Sequence, residues 1–399
     1  MSCSGFSRSG YEGHEYATRA RAVMTRGNTR STLFVDPAPP YAVRGAGPIV
    51  TDQFGHEVID CNNNYTSLIH GHAVAEINDA VGELMVNGTA FGLPTEPEVR
   101  LAELLAARTG HERWRFSNSG TEAVMTAIRA ARAYTGRDVI IRFEGSYHGT
   151  ADAVVSFSAP GVPAGVRSDV IVVPQADQAA FDEAVATAGE RLAAVLIDLM
   201  PNRAGLVPAK PEFVNHVREL TEKVGALMIV DEVISLRLAH GGFASEYGVQ
   251  PDLVSAGKII GGGFPVGAVG GRAEVLAVFD PLASTSVGWG GTFSANPVTM
   301  TAGRIAMERF DADAVSELNR KGNGLRDELV AAGVAVSGFG SLMRLREDVD
   351  LTTLWWAAYE RGTMLGTNGL LALSTTMDDA HITRIKEAVI GAVDVAREK

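Results

Sequence analysis

Ala226-Leu-Met-Ile-Val-Asp-Glu-Val, residues 226–233, is an unbroken apolar run that ends on a carboxylate. An apolar run of this length without polar alternation reads as a strand covered on both faces, as in a parallel sheet. Working outward from it, the same pattern recurs at Asp138-Val-Ile-Ile-Arg-Phe, Asp169-Val-Ile-Val-Val and Ala193-Ala-Val-Leu-Ile. These runs are rich in Val and Ile, and enough chain separates each from the next for an amphipathic helix. Residues 73–296 therefore read as an α/β domain with a mainly parallel sheet between helices. After Pro297 the pattern changes to a long helix over 298–310 and then to shorter mixed segments around Ser341 and Leu370, which read as a smaller α+β domain. The first fifty residues are rich in Arg, Gly and Pro, with weak periodicity, and read as an extended or short-helical arm joined to that smaller domain. The boundaries expected are 1–55 for the arm and part of the small domain, 56–296 for the large domain and 297–399 for the small one.

Composition narrows the class. With 46% hydrophobic and 21% charged residues the chain is ordinary globular protein, and its net charge of −12 argues against a broad nucleic-acid surface. No apolar run approaches the roughly 20 residues of a spanning helix, and the N-terminus lacks the apolar core of a signal peptide. Two cysteines, Cys3 and Cys61, build neither a disulfide framework nor a metal site alone, so a cytoplasmic setting is expected. His-Glu-x-x-His, Gly-x-Ser-x-Gly and Cys-x-x-Cys are all absent, which removes the common metal and hydrolase patterns.

In open α/β sheets ligands sit beyond the carboxyl ends of the strands. Asp231 closes its apolar run, where a carboxylate needs a cation or donors; a protonated pyridine nitrogen would serve, as would a cap or a structural arginine. Asp252-Leu-Val-Ser-Ala-Gly-Lys-Ile-Ile-Gly-Gly-Gly-Phe-Pro-Val-Gly-Ala sets Lys258, one of six lysines, among apolar residues before three glycines. Such surroundings favour the neutral amine that imine formation needs, although a lysine reaching the surface beside a flexible loop fits the same pattern. The glycines lack the Walker spacing of a phosphate loop. Ser119, Gly120 and Thr121 open a helix over 122–135, either as an anion site or as a plain N-cap. Tyr147 and His148 follow another strand and would stack on a planar ligand or pack at an edge. Gly290-Gly-Thr, with Thr292, would donate to a phosphate or simply form a turn.

Together and in this order, Asn118-Ser-Gly-Thr-Glu-Ala, Asp231-Glu-Val and Gly257-Lys-Ile-Ile-Gly-Gly-Gly-Phe-Pro-Val-Gly-Ala resemble the class III, fold-type I aminotransferases that use pyridoxal 5′-phosphate. Glutamate-1-semialdehyde aminomutases and β-phenylalanine-type transaminases are the most similar, over nearly the whole chain from Gly27. The resemblance implies a seven-stranded-type sheet in the large domain and a homodimer with shared active sites. It implies that Ser119, Gly120 and Thr121 hold the cofactor phosphate, with Thr292 reaching it from the other subunit. Tyr147 and Val233 would flank the ring, Asp231 would bind its nitrogen, and Lys258 would be the Schiff-base lysine and proton shuttle of a ping-pong amino transfer. Arg30 would take the substrate carboxylate, and Tyr65 would line the substrate pocket. Two alternatives share the cofactor: an aminomutase, in which donor and acceptor are one molecule, and a racemase. A binding protein on the same fold is the non-enzymatic reading. Three departures separate the chain from those families. Asp198-Leu-Met-Pro-Asn-Arg-Ala-Gly replaces the usual Glu-Pro, leaving Asn202 and Arg203 as rivals for a contact beside the cofactor, with Arg203 also a substrate-binding candidate. Asn368 stands where the β-phenylalanine transaminases carry a second arginine. The segment between Arg344 and Thr363 is shorter than in relatives.

Overall fold

A computed structural model describes residues 8–155, 159–284 and 286–398, so Cys3 lies outside the described residues. The chain forms two compact units. One holds residues 75–319, and the other holds the stretches before and after it.

The 75–319 unit is built on seven strands: β1 (Arg113–Ser117), β2 (Val139–Phe143), β3 (Val170–Val173), β4 (Leu192–Ile197), β5 (Leu227–Asp231), β6 (Leu253–Gly257) and β7 (Gly267–Gly271). Their order across the sheet is β1-β7-β6-β5-β4-β2-β3. All neighbouring pairs are parallel except those of β7, which runs antiparallel to both β1 and β6. Every residue of β2, β4, β5 and β6 is buried, which is why these strands carry continuous apolar runs rather than alternation. The helices include α1 (Glu96–Thr109), α2 (Gly120–Thr135), α3 (Gln178–Ala188), α4 (Pro211–Val224) and α5 (Pro297–Arg309). α2 lays Val124, Ala127, Ile128 and Ala131 into one core with Ile140, Ala194, Leu196 and Ile229 from the strands. It ends at Gly136, whose left-handed backbone closes the last turn.

The units divide at 74/75 and 319/320, whereas the sequence pattern placed the boundaries at 55/56 and 296/297. For α5 the physical reason is packing: it lies against α1 and against the turn after β6, so it belongs with the large sheet. Pro297 opens that helix as its first residue, where its missing N–H costs nothing, and does not mark a domain boundary.

In the other unit, Ala42–Ala46, Ile49–Asp52, Glu57–Asp60 and Thr363–Met364 form a four-stranded sheet. Thr363–Met364 pairs parallel to the strand at Glu57–Asp60. Val336–Phe339, Leu342–Leu345 and Leu370–Ala372 form a second, antiparallel sheet. The arm is more structured than its composition suggests. Its helices at Arg8–Gly13 and Glu15–Val23 are tied in by Tyr11, whose hydroxyl donates to Asp52 beside that of Tyr359 (2.7 and 2.9 Å).

Candidate active site

Because only β7 is reversed, the carboxyl ends of the other six strands share one edge with the first residue of β7. Ser117, Gly267 and Gly257 lie side by side across that edge. A side chain on Gly267 would run into the carbonyl of Ser119, so glycine lets the start of α2 settle directly on the sheet.

Asp231, the last residue of β5, is buried and fully engaged. His148 Nδ1 donates to its Oδ2 at 2.6 Å, while Ser255 Oγ (2.8 Å) and the Val233 N–H (3.1 Å) donate to its Oδ1. Burial pushes its pKa up. The hydrogen bond and charge of His148, with the Val233 and Ser255 donors, outweigh that and hold it below the ordinary aspartate value. Ser255 is the residue paired with Asp231 across β5 and β6, so strand register supplies the contact. His148 therefore anchors the carboxylate and is not the ring-stacking partner that its place beside Tyr147 allowed. Its side chain is wholly buried, and its Nε2 has no hydrogen-bond partner among the described residues.

Lys258 follows β6 directly and opens a tight turn, Lys258–Gly261. Its φ of 53° is left-handed, a conformation that a long side chain adopts only when its surroundings impose it. Burial lowers the pKa of the amine, and the nearby charges of Asp231 and Asp198 oppose this without reversing it. Asp198, just past β4, is buried as well; burial first and the charge of Asp231 second push its pKa up to about 7. Glu232 is also pushed up to about 7 by burial, although the Phe243 and Ala244 N–H groups donate to it.

At the start of α2, Ser119 caps the helix by accepting from the Glu122 N–H, while Glu122 accepts from Ser119 Oγ and the Asn118 N–H. The plain cap is thus realised. The N–H groups of Gly120 and Thr121, in the first turn, have no acceptor within the helix and keep the site attractive to an anion. Val233 packs over Gly120: a side chain there would come within 2.9 Å of a Val233 methyl. Tyr147 is half exposed, with the Arg203 guanidinium 4.5 Å from its ring centre. Arg203 is itself exposed, and Asn202 is partly buried. Thr292 lies elsewhere, in a cleft of about 290 Å³ lined by Phe91, Leu93, Arg115 and Trp289, which includes none of Ser119, Asp231 and Lys258. Among the described residues no cluster of three His, Cys, Asp or Glu side chains is set to hold a metal ion, and no helix is long and apolar enough to cross a membrane.

Arg30 and Tyr65 belong to the other unit, and there they meet. Arg30 Nη1 donates to Asn64 Oδ1 at 2.8 Å, and the guanidinium lies 5.4 Å from the Tyr65 ring centre. Asn63, Asn64, Tyr65 and Thr66 all have positive φ, between 48° and 73°. Left-handed backbone costs roughly 1–2 kcal/mol per residue in anything but glycine, with Asn the most tolerant. The turn is fastened at its start: the Asp60 carboxylate accepts from the Asn62 and Asn63 N–H groups, and Asn63 Nδ2 donates to the Ala372 carbonyl. His70 and His72 are occupied structurally by Thr375 and Asp60. Of the residues around these sites, Ser255 and Asn64 had no signal in the sequence, because strand register and backbone handedness bring them into place, whereas Asp198 closes an apolar run as Asp231 does and was singled out only as part of a departure from relatives.

A helix start with free N–H groups, a buried anionic aspartate and a desolvated lysine lie at the carboxyl edge of one sheet, an arrangement suited to an anionic, nitrogen-containing ligand that reacts with an amine. The class III aminotransferase family model matches residues 35–375. The chain is 36% identical over 398 residues to the β-phenylalanine transaminase of Variovorax paradoxus, covering 94% of this chain and 91% of that one. It is 39% identical over 323 residues to the glutamate-1-semialdehyde 2,1-aminomutase of Methanothermobacter thermautotrophicus, covering 78% and 76%. An ω-transaminase from Sphaerobacter thermophilus superposes with a TM-score of 0.92 at 40% identity, over 99% of this chain and 98% of that one. The chain belongs to the class III aminotransferase family.

Proposed function

We propose that this enzyme transfers an amino group from a carboxylate-bearing donor, β-amino acids included, to a carbonyl acceptor, with pyridoxal 5′-phosphate as cofactor. The observation that carries the reading is the left-handed Lys258 at the end of β6, its amine desolvated and its neighbour strand ending in the buried, anionic Asp231. The donor set fits the cofactor. Asp231 is an anion kept for a protonated ring nitrogen, and the α2 start, with Ser119, Gly120 and Thr121, suits a phosphate. Val233 and Tyr147 supply the apolar faces for a flat ring. When bound, the cofactor supplies the electron sink for charge left on the donor carbon.

The protein's own part is proton handling and orientation. Lys258 Nζ, favoured in its neutral form, takes the proton from the donor's amine-bearing carbon and delivers it to the cofactor side rather than back, so that this carbon can leave as a carbonyl. Asp231 stays ionised throughout because His148 and Ser255 hold it so. Arg30 takes the donor carboxylate through its planar fork, Tyr65 lines the substrate pocket, and Arg203 is the second cation open to an acceptor. The working species is a cytoplasmic homodimer in which Thr292 completes the neighbour's phosphate site. The chain's net charge of −12 speaks against a broad nucleic-acid surface.

The aminomutase relative favours a second reading, intramolecular amine transfer on the same residues. Purified enzyme given an amine-donor panel separates the two: a transaminase releases carbonyl product and needs a separate acceptor for further turnover. The same preparation should be yellow, and borohydride should fix the cofactor on Lys258. Lys258→Ala should still bind cofactor but lose turnover. An adduct on any of the other five lysines would sink the assignment.

A further inference from the structure

The turn at Asn63–Thr66 is the most strained stretch of backbone in its unit, and what it touches gives the strain a use. A turn that only reversed the chain would be served by glycine, which this sequence uses 44 times but places at none of these four positions. Side chains are needed there instead. Asn63 is buried and holds the Ala372 carbonyl at 2.7 Å, which fixes the turn to the antiparallel sheet. Asn62 Oδ1 accepts from the Tyr65 N–H at 2.6 Å and pins its middle. The next two side chains both reach the arm: Asn64 Oδ1 accepts from Arg30 Nη1, and the Tyr65 ring lies beside the same guanidinium. Tyr65 Oη also donates to Thr32 Oγ1 at 2.8 Å, and Thr367 Oγ1 donates to the Thr32 carbonyl at 2.8 Å. The arm is thus fastened two residues beyond Arg30.

We infer that the left-handed Asn63–Thr66 turn is a positioning device, in which Asn64 and Tyr65 fix the Arg30 guanidinium so that its Nε–Nη2 edge is the one offered to a substrate carboxylate. This rests on Arg30 being the carboxylate anchor. An exposed arginine on a polar arm would otherwise sample many rotamers, and ordering it on binding would weaken affinity. Asn64 engages the Nη1 end and leaves the opposite edge for two parallel hydrogen bonds. An amide suits that place because an acidic residue would neutralise the cation that the carboxylate needs. Asn is also the side chain that best tolerates left-handed backbone. Asn64 and Tyr65 act through Arg30.

The test is a double-mutant cycle on the holoenzyme, with alanine and β-phenylalanine as carboxylate donors and 1-phenylethylamine as the carboxylate-free control. Asn64→Ala should raise KM for both acids about three- to tenfold, the range of one modest hydrogen bond, with kcat close to wild type. Asn64→Gly, which removes the amide but eases the backbone, should give the same KM change and guards against misfolding of the alanine variant. In Arg30→Ala, adding Asn64→Ala should raise KM no further, because the residue it positions is gone. Penalties that add in full, or a loss in kcat rather than KM, would show that Asn64 is merely structural and overturn the inference. If Arg30→Ala raises KM for the acids while neither Asn64 variant does, the positioning role alone falls. If Arg30→Ala leaves both acids unchanged, or lowers activity on 1-phenylethylamine equally, the carboxylate reading fails and takes this inference with it.

Discussion

Asn368 Oδ1 accepts from the Leu370 N–H, and the Asn368 carbonyl accepts from Arg344 Nε at 3.0 Å, so this residue shapes its own turn. An amide so used supplies no charge for a second carboxylate. Arg203 is the cation that remains available near Tyr147, exposed and resting on that ring. Pyruvate is therefore expected to be a better acceptor than 2-oxoglutarate, measured as kcat/KM with one fixed donor. Arg203→Ala should worsen 2-oxoglutarate selectively, by roughly 1.5–3 kcal/mol in kcat/KM, if what acceptance there is depends on that charge. A 2-oxoglutarate preference that survives Arg203→Ala would mean another cation serves. At this scale the sequence was most legible where chemistry and local surroundings coincide. Lys258 could be singled out because its apolar neighbours and glycines are contiguous with it. His148 could not be given its role, since nothing local says that a ring beside Tyr147 turns inward to Asp231.

The strand ends carry an unusual load of buried carboxylate: Asp198 after β4, Asp231 ending β5, and Glu232 following it. Asp231 is held anionic, whereas Asp198 keeps its proton to about pH 7. In the unfolded chain an aspartate titrates near about 3.9. Between those values the folded state binds the extra proton, so Asp198's contribution to stability falls as pH rises through this window, and Glu232 adds to the same trend. Asp198→Asn removes the titration. Relative to wild type, the cofactor-free variant should gain roughly 3–4 kcal/mol as pH goes from about 4 to about 7.5. Urea melts across that range read it directly, and parallel pH profiles for the two proteins would refute it. The buried strands themselves were readable because burial on both faces writes a continuous apolar run. β7 was not, because Gly267-Ala-Val-Gly-Gly is mostly glycine: a side chain would meet Ser119 at Gly267, the Trp114 ring at Gly270 and the Asp252 carbonyl at Gly271. The short strands between Ala42 and Asp60 were hidden for another reason: each has only four or five residues, too few to establish a period, and Ala42–Ala46 is mostly exposed.

Across the 75–319 unit, the cleft containing Thr292 is bordered by apolar side chains open to solvent. Leu93 is 77% exposed and Phe293 60%, with Val86 and Phe91 nearby in sequence to the first. Groups of this kind mark surfaces that associate. A two-fold dimer burying them is the expected state at catalytic concentrations, measured by sedimentation. Leu93→Glu should shift it toward monomer with loss of activity. Thr292→Ala should leave the dimer intact but weaken pyridoxal phosphate binding by about 1.5–3 kcal/mol, the worth of a hydrogen bond to a charged group. A fully active monomer would remove the shared site.

The two units also differ in when they can be finished. Every strand of the seven-stranded sheet, with Asp231 and Lys258, is encoded by residue 271. The four-stranded sheet of the other unit needs Thr363–Met364 to pair with a strand made some three hundred residues earlier. At about 5–20 residues per second, translation leaves a gap on the order of 5–20 s between the two. During that gap the strands bearing Asp231 and Lys258 are already made and α5, which packs on the Lys258 turn, is being added, while the sheet of the arm that carries Arg30 still waits for its last strand.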